Sequence, residues 1–370
     1  MDTKYLKLKD VARFSSAKTT DICLESYIST ENMIPFLGGV STASSVPDVK
    51  SASFYEEGDI LLSNIRLYFC KIWKADKKGA CSNDVLVVKP KNNIDPTFLY
   101  YCLCDKNFFN YADLTSKGTK MPRGTKSAIM KYLVPNIPLC TQNMIASILS
   151  NYDKLIQNYK KQIEDLQNLA SELHKEWFVR FRFPGYEKAS FENGIPAGWK
   201  YEKLETYADI STGKCNREDA EEGALYPLFD RSQEVKKSNS WIKDCEAIIV
   251  PGEGTSFIPR YYKGKFNLHQ RCYCVEPKQE NMGKYLFFLL MLNRKYFLSV
   301  ATGATVPSLR YNNFAKMKFL LPNMDLCFKF NSIADAIFEK KDNLQKQLDN
   351  LSNQRDLLLP RFMSGKLEVK

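Results

Sequence analysis

Histidine is nearly absent, with only His174 and His269 in 370 residues. Imidazole-based acid–base chemistry therefore has almost no material. No HExxH, GxSxG or GxxxxGK[ST] pattern occurs, which removes the zinc-protease, serine-hydrolase and P-loop readings. "GEGTS" (252–256) carries the glycines of a phosphate loop without its spacing or closing lysine. None of the eleven cysteines forms a CxxC; the close pairs are CxC, Cys102/Cys104 and Cys272/Cys274. That spacing fits neither a zinc ribbon nor a disulfide framework, so no metal site is expected. Long apolar runs are also missing. "YLFFLLML" (285–292) is only strand or short-helix length, well short of the roughly 20 residues that cross a bilayer. The opening "MDTKYLKLKD" is polar and charged, unlike a secretory signal, and the expected compartment is a reducing cytoplasm.

The chain does have size, a moderate positive charge and an internal repeat. Its length exceeds one ordinary core, so two domains are expected. Fifty-three Lys and Arg against 42 Asp and Glu leave +11, which suits an acidic partner. A shift of about 187 residues aligns "GDILLS" (58–63) with "CEAIIV" (245–250), and "SNDVLVV" (82–88) with "HQRCYCV" (269–275). It also aligns "FLYYCL" (98–103) with "YLFFLL" (285–290), and Met130, Lys131, Leu133 and Pro135 with Met317, Lys318, Leu320 and Pro322. Each copy reads as a mixed α/β globule, with strands at "DILLS", "DVLVVKP", "AIIVP" and "RCYCVEP", followed by a proline-marked turn and a long helix.

In the first helix Ile145, Leu149, Tyr152, Ile156, Tyr159, Ile163, Leu166, Ala170, Leu173 and Trp177 advance by fours and threes, a coiled-coil seam. His174 falls on its charged face and is expected in solvent. The second helix carries Ile333, Ile337, Leu344, Leu348, Leu351 and Leu358, with Lys341 and Arg355 on the same stripe. The two helices are expected to pair antiparallel. Both end alike, in "EWFVRFRFPGYE" (176–187) and "LLLPRFMSGKLEV" (357–369), where an apolar cluster is followed by Arg-Phe close to a proline. Trp177, Phe178, Arg180 and Phe181, with Leu358, Leu359, Arg361 and Phe362, supply more apolar surface than one seam uses. Either they pack under the neighbouring globule, or they are two equivalent docking points for two like partners.

The globules hold most of the excess charge: residues 1–140 carry 19 basic against 14 acidic side chains, and residues 191–325 carry 19 against 16. A nucleic-acid surface is therefore expected on them rather than on the helices. Polar clusters beside glycines and turns give the DNA-binding candidates. In the first globule they are Asn64, Arg66, Lys71, and Lys120 and Arg123 of "SKGTKMPRGTK" (116–126). In the second they are Lys214, Arg231, Gln233, Thr255, Ser256, Arg260, Lys263 and Arg310. Arg, Gln and Asn suit bidentate contacts to base edges, and Lys suits phosphates. A coiled-coil scaffold whose globules bind protein is the competing class.

"IPAGWKYEKLETYADISTGK" (195–214), "IEDLQNLASELHKEWFVRFRFPG" (163–185), "GDILLSNIR" with "CSNDVLVVKP", and the terminal "RDLLLPRFMSGKLEV" together resemble the specificity subunits of type I restriction–modification enzymes. The resemblance spans essentially the whole chain. The fold it points to is α+β: two pseudo-symmetric α/β target-recognition globules joined by two long antiparallel coiled-coil helices. The expected segments are 1–140 and 190–325 for the globules, 141–183 for the first spacer helix, and 326–363 for the second with a short C-terminal tail. The resemblance implies a chain without catalysis that reads a split target in double-stranded DNA, one half per globule. Two modification subunits would dock on it and methylate adenine with S-adenosylmethionine, and restriction subunits would use ATP and Mg to translocate and cleave. No cofactor is expected in this chain, and no membrane partner. The helix entries depart from the family's pattern: the first, "IPLCTQNMI", keeps Gln142, and the second, "MDLCFKFNSI", has no glutamine. The chain also opens without the Gly-Trp seen at Gly198–Trp199.

Overall fold

The structure, a computed structural model, describes residues 4–118 and 120–364. Thr119 of the 116–126 segment and the tail from Gly365 onward lie outside the described residues. The chain forms two compact units, Met1–Lys160 with Lys346–Lys370, and Lys161–Gln345.

The first unit is built on a four-stranded antiparallel sheet in the order Ala12–Phe14, Val85–Pro90, Ile60–Ser63, Ile72–Lys74. Its central strand is apolar at consecutive positions because both faces are covered. Ile60 and Leu62 face the helix Pro96–Cys104, while Leu61 faces Trp73, Tyr55 and Ile28. That helix starts sharply: Pro96 occupies its first turn and Asp95 accepts the Phe98 N–H at 2.7 Å.

The second unit is built on a six-stranded sheet in the order Ala208–Thr212, Cys272–Pro277, Lys243–Pro251, Arg260–Leu268, Tyr226–Phe229, Lys236–Ser238. The first four repeat the spatial order of the first unit, so the duplication seen in sequence is also one of topology. The alternation repeats as well: Ile248, Val250 and Val275 face one apolar cluster, and Ala247, Ile249 and Cys274 face the other. "YLFFLLML" lies within the helix Gly283–Leu292, apolar nearly all round because it is buried nearly all round.

Each long helix has 40 residues, Leu139–Phe178 and Met324–Met363, or roughly 60 Å at 1.5 Å per residue. In the first unit Ile145 and Leu149 share a core with Leu359 and Phe362, and Arg355 Nη1 reaches Asp153 Oδ1 at 2.8 Å. In the second unit Ala170, Trp177 and Phe178 pack with Phe330, Ala334 and Phe338. In each unit the start of one helix meets the end of the other, so the pairing is antiparallel.

Two details correct the sequence reading. Ile333, placed on the seam, is 43 % exposed, because Phe330, Ala334 and Phe338 fill the buried stripe instead. The second helix runs through Pro360 to Met363, the end expected for it. A proline removes one N–H late in the helix, and the last turn is held by Leu359 and Phe362 in the first unit's core.

His174 is not in solvent. It is buried among Phe178, Tyr285, Phe288 and Phe330, and neither ring nitrogen has a hydrogen-bond partner of ordinary geometry among the described residues. Burial pushes its pKa from 6.5 down to about 3, which the nearby Tyr285 backbone only partly opposes. Below pH 6.5 the unfolded chain takes up this proton and the folded chain does not. Stability should therefore be full above that pH and fall toward pH 5 by up to about 1.4 kcal/mol per pH unit. Replacing His174 by Leu should flatten the pH 7-to-5 slope of the unfolding free energy by one proton. An unchanged slope would contradict the burial.

Candidate nucleic-acid interface

In the first unit, two loops are stitched into one surface. Arg66 N–H donates to the Pro122 carbonyl at 2.9 Å, Gly124 N–H to the Asn64 carbonyl at 3.1 Å, and Lys117 and Arg123 exchange backbone bonds at 2.9 Å. Arg66, Lys120 and Arg123 are exposed on it. Arg66 has φ +51°, a left-handed conformation that is costly for a side-chain-bearing residue and turns the chain sharply here. Arg123 is steadied by Asp84 at 3.0 Å. Asn64 is half-buried, and its Oδ1 has no partner among the described residues. Lys71 is half-buried: its ammonium donates to the Thr30 carbonyl at 2.5 Å and is partly desolvated, which lowers its pKa. A polar hollow of about 370 Å³ holds residues that the sequence reading missed, among them Lys18, Asn83 and Lys126. Lys18 Nζ donates to Asn83 Oδ1 at 3.0 Å and to Ser53 Oγ at 3.1 Å.

In the second unit a cleft of about 310 Å³ is lined by Arg217, Asp230, Arg231, Ser232, Glu253, Gly254, His269 and Val306. It lies where the sheet strands give way to loops. Glu253, just past the strand Lys243–Pro251, pairs with Arg231 at 2.6 Å and with Arg271 through its other oxygen. Two guanidiniums are thus held by one carboxylate, both about half exposed. His269 Nδ1 accepts the Arg271 N–H at 3.0 Å. Burial and the flanking Arg231 and Arg271 keep its pKa low. Burial alone would raise the Asp230 carboxyl, but Lys236 at 2.5 Å and Ser232 more than offset it and bring its pKa to about 2. The loop 302–310 closes the rim, through Gly254 N–H to the Pro307 carbonyl at 3.0 Å and Leu309 N–H to the Gly252 carbonyl at 2.8 Å.

Two glycines fix this geometry. A Cβ at Gly213 would meet the Leu268 carbonyl oxygen at 1.8 Å, and Gly254 has φ +126°.

Of the residues expected here, Arg231 lines the cleft, while Lys214, Gln233, Thr255 and Arg310 are exposed on the adjoining loops. Ser256 is half-buried and its carbonyl accepts from Arg294 Nε at 2.9 Å. Lys263 stands opposite Glu246, three residues along the strand from Arg260, and is exposed. Arg260 is corrected: its guanidinium donates inward to the Ser232 carbonyl at 2.7 Å and to the Asp230 carbonyl, and lies over the Phe229 ring. It supports the loop that carries Arg231. Arg217 and Arg271 were missed. The signal for Arg271 was present: "HQR" sits at the offset of "SND", where the first unit keeps Asn83 and Asp84.

The docking candidates divide by burial. Trp177, Phe178, Leu359 and Phe362 are buried in their units' cores, and Leu358 and Phe181 are half-buried. The four buried side chains pack under their globules, one of the two expected arrangements, and are not free docking points. Phe178, Phe181 and Phe183 surround Trp199, which explains the Gly-Trp opening of the second globule. Arg180, paired with Glu172 and Glu176, and Arg361 remain exposed.

The type I restriction modification DNA specificity domain (Methylase_S) matches residues 1–168 and again 196–350. The chain is 28% identical over 307 residues to the MjaIX type I restriction enzyme specificity subunit of Methanocaldococcus jannaschii, covering 76% of this chain and 71% of that one. It is 30% identical over 180 residues to the EcoDI specificity subunit of Escherichia coli, covering 47% of this chain and 39% of that one. The crystal structure of a type I restriction–modification S subunit from M. genitalium has the same fold, with TM-score 0.64 at 17% identity over 97% of this chain and 95% of that one. No helix among the described residues is long and apolar enough to cross a membrane. The chain belongs to the family of type I restriction–modification specificity subunits and carries the family's DNA specificity domain twice.

Proposed function

We propose that this chain supplies the target sequence to a type I restriction–modification complex and leaves the chemistry to its partners. The duplicated specificity domain carries the reading, since each copy presents its own arginine-bearing polar surface. Each unit reads one half of a split site in double-stranded DNA, the first through Arg66, Lys120 and Arg123, the second through Arg231 and Arg271. Two modification subunits take S-adenosylmethionine and methylate adenine in the site; restriction subunits bring ATP and Mg. The family match displaces the protein-binding scaffold alternative.

Reconstitution with the cognate modification subunits tests this. Adenine methylation confined to one bipartite motif is expected, and methylation of the same motif without this chain would refute the assignment. Binding to that motif should also weaken steeply with salt: about six phosphate contacts would lower affinity roughly a thousandfold between 50 and 200 mM.

A further inference from the structure

We propose that the second unit contains a thiolate-rich site for a divalent metal of the zinc class, clipping three adjacent sheet strands together. Cys245 lies on Lys243–Pro251, Cys274 and Glu276 lie on Cys272–Pro277, and Ser211 lies on Ala208–Thr212. The two Sγ atoms and a Glu276 carboxylate oxygen all fall within 4.8 Å of one another. Tetrahedral zinc, with bonds of roughly 2.3 Å to sulfur and 2.0 Å to oxygen, needs only a small inward shift of these side chains. Ser211 stands directly opposite Cys274 in the strand register. Its Oγ is buried and has no ordinary hydrogen-bond partner among the described residues, although it lies beside the Cys274 thiol. That orphaned oxygen can complete the donor set, directly or through a water.

The surroundings suit an ion. Cys274 is buried and Cys245 is half-buried, so the soft donors are shielded. Two thiolates and one carboxylate around a divalent cation leave one negative charge. Lys243, 2.8 Å from Glu276 Oε2, cancels it and orients the ligand from outside the first shell. Binding releases the thiol protons to solvent and leaves sulfur oxidation state unchanged.

The sequence hid this arrangement because no two ligands have zinc-finger spacing. Its one trace is the C-x-C-x-E of the strand 272–277, whose period of two puts Cys272, Cys274 and Glu276 on one face. The clip grips one end of the strand pair whose other end leads to Glu253 and Arg271.

The test uses the full chain, with Zn²⁺ and Co²⁺ as probes under reducing conditions. We expect one ion per chain against a competing chelator, and with Co²⁺ a thiolate charge-transfer band and tetrahedral visible bands. Cys245→Ser and Glu276→Gln should each weaken binding at least tenfold, and Cys23→Ser and Cys140→Ser should leave it unchanged. Absence of stoichiometric binding by the unmodified chain would overturn the site, whatever the variants do. So would a Co²⁺ spectrum that survives Cys245→Ser, or a Cys245–Cys274 disulfide in the chain as isolated from cells.

Discussion

Phe330→Ala should cost the second unit about 3 to 5 kcal/mol, the range for emptying an aromatic site in a well-packed core. Phe330 is fully buried on the second long helix. Its ring meets Trp177 at 6.0 Å, Phe178 at 5.3 Å, His174 at 5.3 Å and Phe288 at 6.0 Å, so it joins both long helices to the helix Gly283–Leu292. Truncation removes contacts to two other helices at once, and none of these ringed neighbours can close the gap without leaving its own site. Ile333→Ala, three residues on, should cost less than about 1 kcal/mol because that side chain is already substantially in water. Urea unfolding followed by tryptophan fluorescence reads both variants, since Trp177 and Trp199 lie in the same cluster. A larger cost at Ile333 than at Phe330 would restore the simple heptad seam and refute the packing described above.

Arg231→Ala and Arg271→Ala should each reduce methylation of the cognate site about 10- to 100-fold, the worth of one good bidentate contact to a base. The loss should be confined to discrimination in one half of the target. Both guanidiniums are held by Glu253, so their forks are oriented before DNA arrives and lose little freedom on binding. Removing either arginine also takes the cluster with Glu253 from net positive to neutral, so it attracts a polyanion less. Lys263→Ala, on the strand and outside the cleft lining, should change affinity little and base choice not at all. Methylation rates on targets carrying single-base changes in each half separate these outcomes. Equal relaxation in both halves after Arg271→Ala would show that the cleft does not read one half-site on its own.

The parts of this protein legible in the sequence are those set by local periodicity and by repetition. The short runs of strand-type apolar residues at "DILLS" and "AIIVP", the long helical runs, and the shared offset between copies anticipate elements that the structure displays. What escaped depends on neighbours distant in sequence. Ile333 and Phe330 are both apolar and both compatible with a seam; a third packing helix decides which is buried. His174 looked solvent-facing on a charged helix because most of the aromatic rings around it come from two other helices. Arg260 and Arg231 are equivalent as residue types, yet one reaches loop carbonyls and the other reaches open cleft. The arginine pair itself needs Glu253, brought in from another strand end.

The division of the chain into units also has a temporal side. The second unit is one continuous stretch, 161–345, whereas the first requires both 1–160 and residues from 346 onward. A ribosome delivers the chain from its beginning, so the domain begun first is the last to receive its final part. Until Leu359 and Phe362 emerge, the apolar face around Ile145 and Leu149 lacks its cover. Closing that long loop is the slow, non-local event in the fold. A chain halted between the two recognition domains would therefore expose a sticky helix, which gives synthesis to the very end a direct bearing on solubility.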